Sequence, residues 1–171
     1  GRMINYVGFV PADAEMKESW SAPGEPALLR QEFAGWDACI ERLLREVQKT
    51  FRWALYDREP LATWTRGRLT LLGDAAHPLT PNVGQGACLE HENAACLSKF
   101  LPGTTDVAAA FRSYEAMQRA RTAFVARQAR RIGMIGQWEN PWIVKGRNFI
   151  TRLVLSHSPD AQLNTVYAYK I

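Results

Sequence analysis

The stretch that most constrains this chain runs from Leu69 to Cys88, as Leu69-Thr70-Leu71-Leu72-Gly73-Asp74-Ala75-Ala76-His77-Pro78 and then Leu79-Thr80-Pro81-Asn82-Val83-Gly84-Gln85-Gly86-Ala87-Cys88. It reads as strand, sharp loop and helix. An apolar run of strand length stops at a Gly-Asp pair, so a buried strand is expected to deliver the Asp74 carboxylate at its carboxyl end. That is where open α/β sheets hold ligands. Pro78 and Pro81 stiffen the connection, and Gly84 and Gly86 let the backbone come close to a bound group. The alanine-rich helix that follows offers unpaired N–H groups and the positive end of its dipole. A strand-end carboxylate beside a helix N-terminus suits a ligand that carries both hydroxyls and an electron-rich acceptor edge.

Composition narrows the class without naming it. A chain of 171 residues makes one ordinary domain or parts of two, with enough apolar content to bury a core. A net charge of +4 and a pI near 9.2 permit an anionic ligand but do not demand nucleic acid. The three cysteines, Cys39, Cys88 and Cys96, form no Cys-x-x-Cys pair. Cys88 and Cys96 fall on one predicted helix about 12 Å apart, too far for a disulfide. A reducing compartment, the cytoplasm, is the natural expectation. No apolar run approaches the roughly 20 residues of a membrane span, and no signal-peptide pattern opens the chain.

Gly73-Asp74-Ala75-Ala76-His77-Pro78, Pro81 and Gly84-Gln85-Gly86 resemble the second flavin motif of the single-component FAD-dependent aromatic hydroxylases, the group that contains salicylate and para-hydroxybenzoate hydroxylases. The resemblance extends to Glu18-Ser19-Trp20, Phe33-Ala34-Gly35-Trp36-Asp37, Trp53-Ala54-Leu55-Tyr56-Asp57, the Trp64 to Arg68 segment and Tyr114-Glu115. It implies an α/β fold, a mixed α+β fragment: the later part of a para-hydroxybenzoate hydroxylase-like fold. Residues 1–63 would close the substrate-binding domain. Residues 64–171 would supply one flavin-domain strand and the long C-terminal helices.

The resemblance also implies the chemistry. FAD would be held by Gly73, Asp74, Pro81, Gly84, Gln85, Gly86, Ala87 and Cys88, with Asp74 on the ribityl chain. The backbone around Gly84 to Cys88 would face the pyrimidine edge of the isoalloxazine. Pro81 would shape the oxygen-reaction side through its backbone and ring. NADH or NADPH would be the reductant, and a small aromatic or heteroaromatic compound the substrate. Glu92-Asn93 stands where the family usually has Glu-Asp, which leaves the role of Asn93 open. The family's first flavin motif, a Gly-x-Gly-x-x-Gly turn after a strand, is not found. Gly133-Met134-Ile135-Gly136 follows an arginine-rich helical stretch, the wrong context for a dinucleotide site. The expectation is therefore a C-terminal portion that lacks the ADP half of the FAD site.

Around this centre, Met3 to Val10 and Lys17 to Ser21 read as strands, and Ala22 to Pro26 as a turn or loop. Leu28 to Phe33 and Trp36 to Thr50 read as helices. In the second helix, Asp37 is a cap, and Ile40, Leu43, Leu44, Val47 and Phe51 form an apolar stripe. Trp53 to Glu59 and Leu61 to Trp64 read as extended pieces, followed by a Thr65-Arg66-Gly67 turn. Ala87 to Leu101 is a predicted helix ended by Pro102-Gly103. Thr105 or Asp106 caps a long helix from Val107 to about Arg131, with Phe111, Tyr114, Met117 and Phe124 on one side. Its arginines 112, 119, 121, 127, 130 and 131 read first as a solvated face. Trp138 to Trp142 is a loop around Pro141, Val144 to Leu155 a helix, and Leu163 to Tyr169 the closing segment.

Other chemistries fail on spacing. His77, His91 and His157 form no paired-ligand pattern for zinc, and consecutive Glu90-His91-Glu92 on a helix point about 100° apart. No Gly-x-Ser-x-Gly elbow is present. His77 reads as a structural loop histidine rather than a base. Two alternatives to the flavin reading are a non-enzymatic nucleotide- or phosphate-binding α/β module and a basic helical adaptor. The expected partners are a small aromatic substrate and a second copy in a homodimer, with neither nucleic acid nor membrane.

Overall fold

A computed structural model describes residues 3–11, 21–157, 164 and 166–170. The chain divides into two compact units, Gly1–Tyr56 and Asp57–Ile171.

In the first unit, β1 (Pro23–Gly24) pairs antiparallel with β2 (Thr50–Phe51), Pro23 opposite Phe51. Between them lie α1 (Pro26–Glu32) and α2 (Ala38–Arg45). Pro26 opens α1 where a missing N–H costs nothing. Asp37 caps α2 as expected, its carboxylate accepting from the Cys39 amide at 2.8 Å. The second helix is shorter than its apolar stripe suggested. It stops at Arg45, because Thr50 and Phe51 extend to pair with a segment that reads as a loop, and Phe51 stays exposed. Leu44 and Phe33 are buried, with the Tyr6 ring edge-on to Phe33 at 5.6 Å. Met3 to Val10 is not a strand, since no described segment pairs with it. Residues 17–20 of the next expected strand lie outside the described residues, as does the Glu18-Ser19-Trp20 element.

The second unit opens on a hairpin of β3 (Thr65–Arg66) and β4 (Leu69–Thr70), joined through Gly67 at φ +58°. The turn therefore falls at Gly67-Arg68, later than expected, and Thr65 and Arg66 belong to a strand. Three helices follow: α3 (Gly86–Phe100), α4 (Val107–Gly136) and α5 (Pro141–His157). Asp106 caps α4, accepting from the Ala109 amide at 2.9 Å. α4 runs five residues beyond Arg131, so Gly133 and Gly136 are helical. Pro141 is not in the preceding loop but at the start of α5, where Asn140 accepts from the Trp142 amide at 3.0 Å. Of the closing segment Leu163 to Tyr169, residues 163 and 165 lie outside the described residues.

Two apolar clusters sit between α3 and α4. One gathers Trp64, Ala76, Cys96 and Tyr114, with Leu71, Leu97 and Phe100 packed on it; the other gathers Val83, Leu89, Val125 and Ala129, with Leu79 and Phe124. These clusters carry the 69–88 segment on the α3–α4 pair. The mixed α/β character is as expected, but the central strand is not a buried one. β4 is two residues long, pairs only with β3 among the described residues, and leaves Leu69 65 % exposed. A buried parallel strand needs neighbours on both edges and layers on both faces, and the described residues supply neither. Among those residues, no helix is long and apolar enough to cross a membrane.

Candidate functional site

The segment after β4 folds as two single 3-10 turns, Gly73–Ala75 and Pro81–Val83, ahead of α3. Gly73 takes φ +62°, and its carbonyl accepts from the amides of Ala76 at 2.9 Å and His77 at 3.0 Å, so the chain doubles back sharply at Asp74. Asp74 is exposed, and no described residue pairs with its carboxylate. Gly73 sits beside Glu90, where an added Cβ would lie 3.0 Å from the Glu90 side chain. Glu90 is four residues into α3, so the Asp74 turn lies within about 6 Å along the axis of the start of that helix.

In the second turn, the Pro81 carbonyl accepts from the Gly84 amide at 3.0 Å, and Pro81 itself is exposed. Its carbonyl therefore closes the turn, and what it presents outward is the ring. Asn82 anchors the turn to α4, its amide donating to the Ala129 carbonyl and to Thr80 Oγ1, both at 3.0 Å. Gly84, at φ +62°, turns the chain into α3, in a conformation that favours glycine.

Gln85 is buried and occupies the cap position of α3, but its side chain makes no capping bond. The first helical amides, those of Gly86, Ala87 and Cys88, therefore point outward without a side-chain acceptor. An added Cβ at Gly84 or at Gly86 would meet nothing within 4 Å. Among the described residues, nothing packed near position 86 requires a glycine there. Donor amides, open glycines and an exposed carboxylate one helical turn away are the kinds of group that suit a ligand with hydroxyls and an acceptor edge. All eight of the expected cofactor residues fall on these two turns and the start of α3.

Behind this loop lies a buried polar cluster that sequence reasoning missed. The Asn93 side chain is fully buried; its Oδ1 accepts from the Tyr114 hydroxyl at 2.7 Å and from His77 Nε2 at 2.8 Å, and lies 3.5 Å from the Gly73 amide. Asn93 Nδ2 donates to Gln118 Oε1 at 3.5 Å. His77, read from the sequence as a structural loop histidine, is buried and engaged with Asn93. Burial pushes the Tyr114 phenol above its ordinary range, reinforced by Cys96 and Glu115. The available signals were the Glu92-Asn93 departure and the spacing of polar residues on the buried face of α4, Tyr114, Gln118 and Thr122.

The arginine segment is not uniformly solvated. Arg112, Arg119, Arg127 and Arg131 are exposed, but Arg121 is buried against Glu92, Nε to Oε2 and Nη2 to Oε1 each at 3.0 Å. Arg121 Nη2 also donates to the Val166 carbonyl at 2.7 Å, and the guanidinium lies 4.5 Å over the Tyr169 ring. Arg130 pairs with Asp57 and Glu59, and these carboxylates raise its pKa, the Asp57 hydrogen bond most. Tyr167 donates to the Val83 carbonyl at 2.7 Å, which ties the C-terminal segment to the Pro81–Val83 turn. All three cysteines are free. No group of three or more His, Cys, Asp or Glu among the described residues could hold a metal ion.

No protein-family profile matches the chain. It is 39% identical over 136 residues to an aurachin C monooxygenase/isomerase of Stigmatella aurantiaca, covering 78% of this chain and 36% of the relative. It is likewise 39% identical over 141 residues to a 6-hydroxynicotinate 3-monooxygenase of Bordetella bronchiseptica, covering 81% of this chain and 37% of the relative. Among solved structures, HpxO of Klebsiella pneumoniae complexed with FAD and uric acid superposes with a TM-score of 0.70 at 31% identity, over 82% of this chain and 36% of the other. A salicylate hydroxylase substrate complex gives a TM-score of 0.76 at 26% identity, over 93% of this chain and 38% of the other. The chain thus shares their fold, and spans a little over a third of the length of the curated relatives it matches.

Proposed function

From the premise that this chain is homologous to the FAD-dependent aromatic hydroxylases, we propose that it is part of an FAD-dependent monooxygenase that hydroxylates a small aromatic or heteroaromatic substrate with NADH or NADPH and O2. The observation that carries this reading is the uncapped start of α3 with open space at Gly84 and Gly86, beside an exposed Asp74 that pairs with no described residue. In this reading residues 1–63 belong to the substrate-binding domain, and 64–171 to the FAD-binding domain. We place the protein in the cytoplasm, which suits three free cysteines.

Bound flavin would supply the redox chemistry, taking a hydride from the nicotinamide and activating oxygen. The chain's own residues hold, orient and shield it. Asp74 accepts hydrogen bonds from ribityl hydroxyls. The amides of Gly86, Ala87 and Cys88, with the dipole of α3 behind them, would hold the pyrimidine edge and stabilise negative charge there. Gly73 and Gly84 give the two turns their left-handed corners, and buried Gln85 sets the angle at which α3 begins. Pro81 forms a rigid apolar wall with no N–H of its own to compete for the reacting oxygen.

Two variants of the full-length protein test the placement. Gly86→Val fills the open space and is expected to abolish FAD occupancy. Pro81→Ala is expected to leave occupancy intact and to lower the ratio of hydroxylated product to NAD(P)H consumed, with the difference released as hydrogen peroxide. Unchanged occupancy in the first variant together with unchanged coupling in the second would place the flavin ring elsewhere.

A further inference from the structure

Behind the Asp74 turn, one side-chain oxygen meets both of its ends. Gly73 and His77 bracket the turn, and both meet Oδ1 of Asn93, His77 Nε2 at 2.8 Å and the Gly73 amide at 3.5 Å. The Tyr114 hydroxyl fills the rest of that oxygen's surroundings at 2.7 Å, and it is also 3.4 Å from the Leu71 carbonyl, just ahead of the turn. Asn93 is fully buried on α3, two turns from the helix start whose amides face the open space. The Asn93 amide thus ties both ends of the carboxylate-bearing turn to α3, the helix whose start supplies the donors.

We propose that Asn93 is a positioning residue for FAD, setting the Asp74 carboxylate against the α3 amides; this rests on the flavin reading above. Three donors crowd one amide oxygen, which has only two lone pairs, and the surrounding cluster is rich in donors. Gln118 Nε2 and His77 Nδ1 are buried and have no partner among the described residues. With Nε2 aimed at the Asn93 side-chain oxygen and Nδ1 facing no acceptor among the described residues, the hydrogen-bond geometry puts a proton on His77 Nε2. A carboxylate at position 93 would preserve the acceptor and offer a second oxygen to Gln118 once that amide turns over. A leucine would preserve the volume and remove every hydrogen bond. The position thus separates acceptor chemistry from packing.

The test is FAD titration of the full-length protein by fluorescence quenching, for the parent, Asn93→Leu and Asn93→Asp, each well below its own melting temperature. The expected result is at least tenfold weaker FAD binding for Asn93→Leu and binding within threefold of the parent for Asn93→Asp. A role confined to packing would lower the melting temperature and leave the dissociation constant of the folded molecules unmoved. Asn93→Leu binding FAD as tightly as the parent would overturn the positioning role alone. A parent that takes up no FAD would overturn the flavin reading instead. Should Asn93→Leu fail to fold, 15N NMR of the parent at pH 8 reads the His77 tautomer directly. Nε2–H is expected, and Nδ1–H would overturn the arrangement.

Discussion

Tyr114 is fully buried, and its hydroxyl donates to Asn93, so folding holds the phenol in its protonated form. Its pKa lies above the ordinary 10.0 because burial disfavours the phenolate, with Cys96 and Glu115 acting in the same direction. The unfolded chain loses this proton near pH 10 while the folded chain keeps it. The stabilisation is therefore complete below pH 10 and is lost as pH rises beyond it. The difference in unfolding free energy between parent and Tyr114→Phe is expected to be flat from pH 7 to 9, then to shrink above pH 10 by up to about 1.4 kcal/mol per pH unit. A pH series of urea melts measures it, and a constant difference to pH 11 would show that the hydroxyl is not sequestered. Arg121 is a second buried group with a specific cost. Removing it leaves Glu92 without its cation, so Arg121→Met is expected to destabilise by about 3 kcal/mol. The double variant Arg121→Met with Glu92→Leu should recover part of that loss, a pattern that packing alone would not give.

At the scale of elements, Gly133 sits on α4 where Asn82 reaches in from the Pro81–Val83 turn to the Ala129 carbonyl. A Cβ at 133 would collide with the Asn82 amide, so Gly133→Ala is expected to cost about 1–3 kcal/mol despite the better helix propensity of alanine. Thermal melts check this; a stabilised variant would mean that Asn82 moves aside freely. The glycine looked meaningful in the sequence only as part of a dinucleotide motif that its context excludes. Its actual reason is a contact 51 residues away in the chain, beyond what local pattern can report. Caps fared better, because Asp37 and Asp106 act on amides two and three residues ahead. The sharp loop after Leu72 was legible for the same reason, as φ at Gly73 and Gly84 is a local property. Strand lengths were not legible. A strand exists only with a partner, and Met3 to Val10 and Leu69 to Leu72 have β-forming composition without the neighbours that would extend them. The Asn93 cluster was equally hidden, since its bonds join residues 16 to 25 positions apart.

For the molecule as a whole, the decisive quantity is how much of a dinucleotide these 171 residues can grip. In the proposed reading the turns and the α3 amides would address the ribityl chain and ring edge, while these 171 residues hold no Gly-x-Gly-x-x-Gly turn for the pyrophosphate. The relatives that match are nearly three times as long as the matched stretch. A hydrogen bond to a charged group is worth about 1.5–3 kcal/mol, so Asp74 and three amides can sum to several kcal/mol before the entropy of ordering the ligand is set against them. Micromolar affinity needs about 8 kcal/mol net. The isolated chain is therefore expected to bind FAD more weakly than about 10 µM, and Asp74→Ala should then weaken binding to the full-length protein by one to two decades. Large apolar side chains on α5, with Trp142 78 %, Phe149 69 % and Ile150 60 % exposed, are expected to draw copies of the isolated chain together. Sedimentation velocity and FAD titration on one sample test both expectations. Tight binding by a monomeric 171-residue chain would show that the two turns and the start of α3 suffice to hold the cofactor, and that the pyrophosphate grip contributes little.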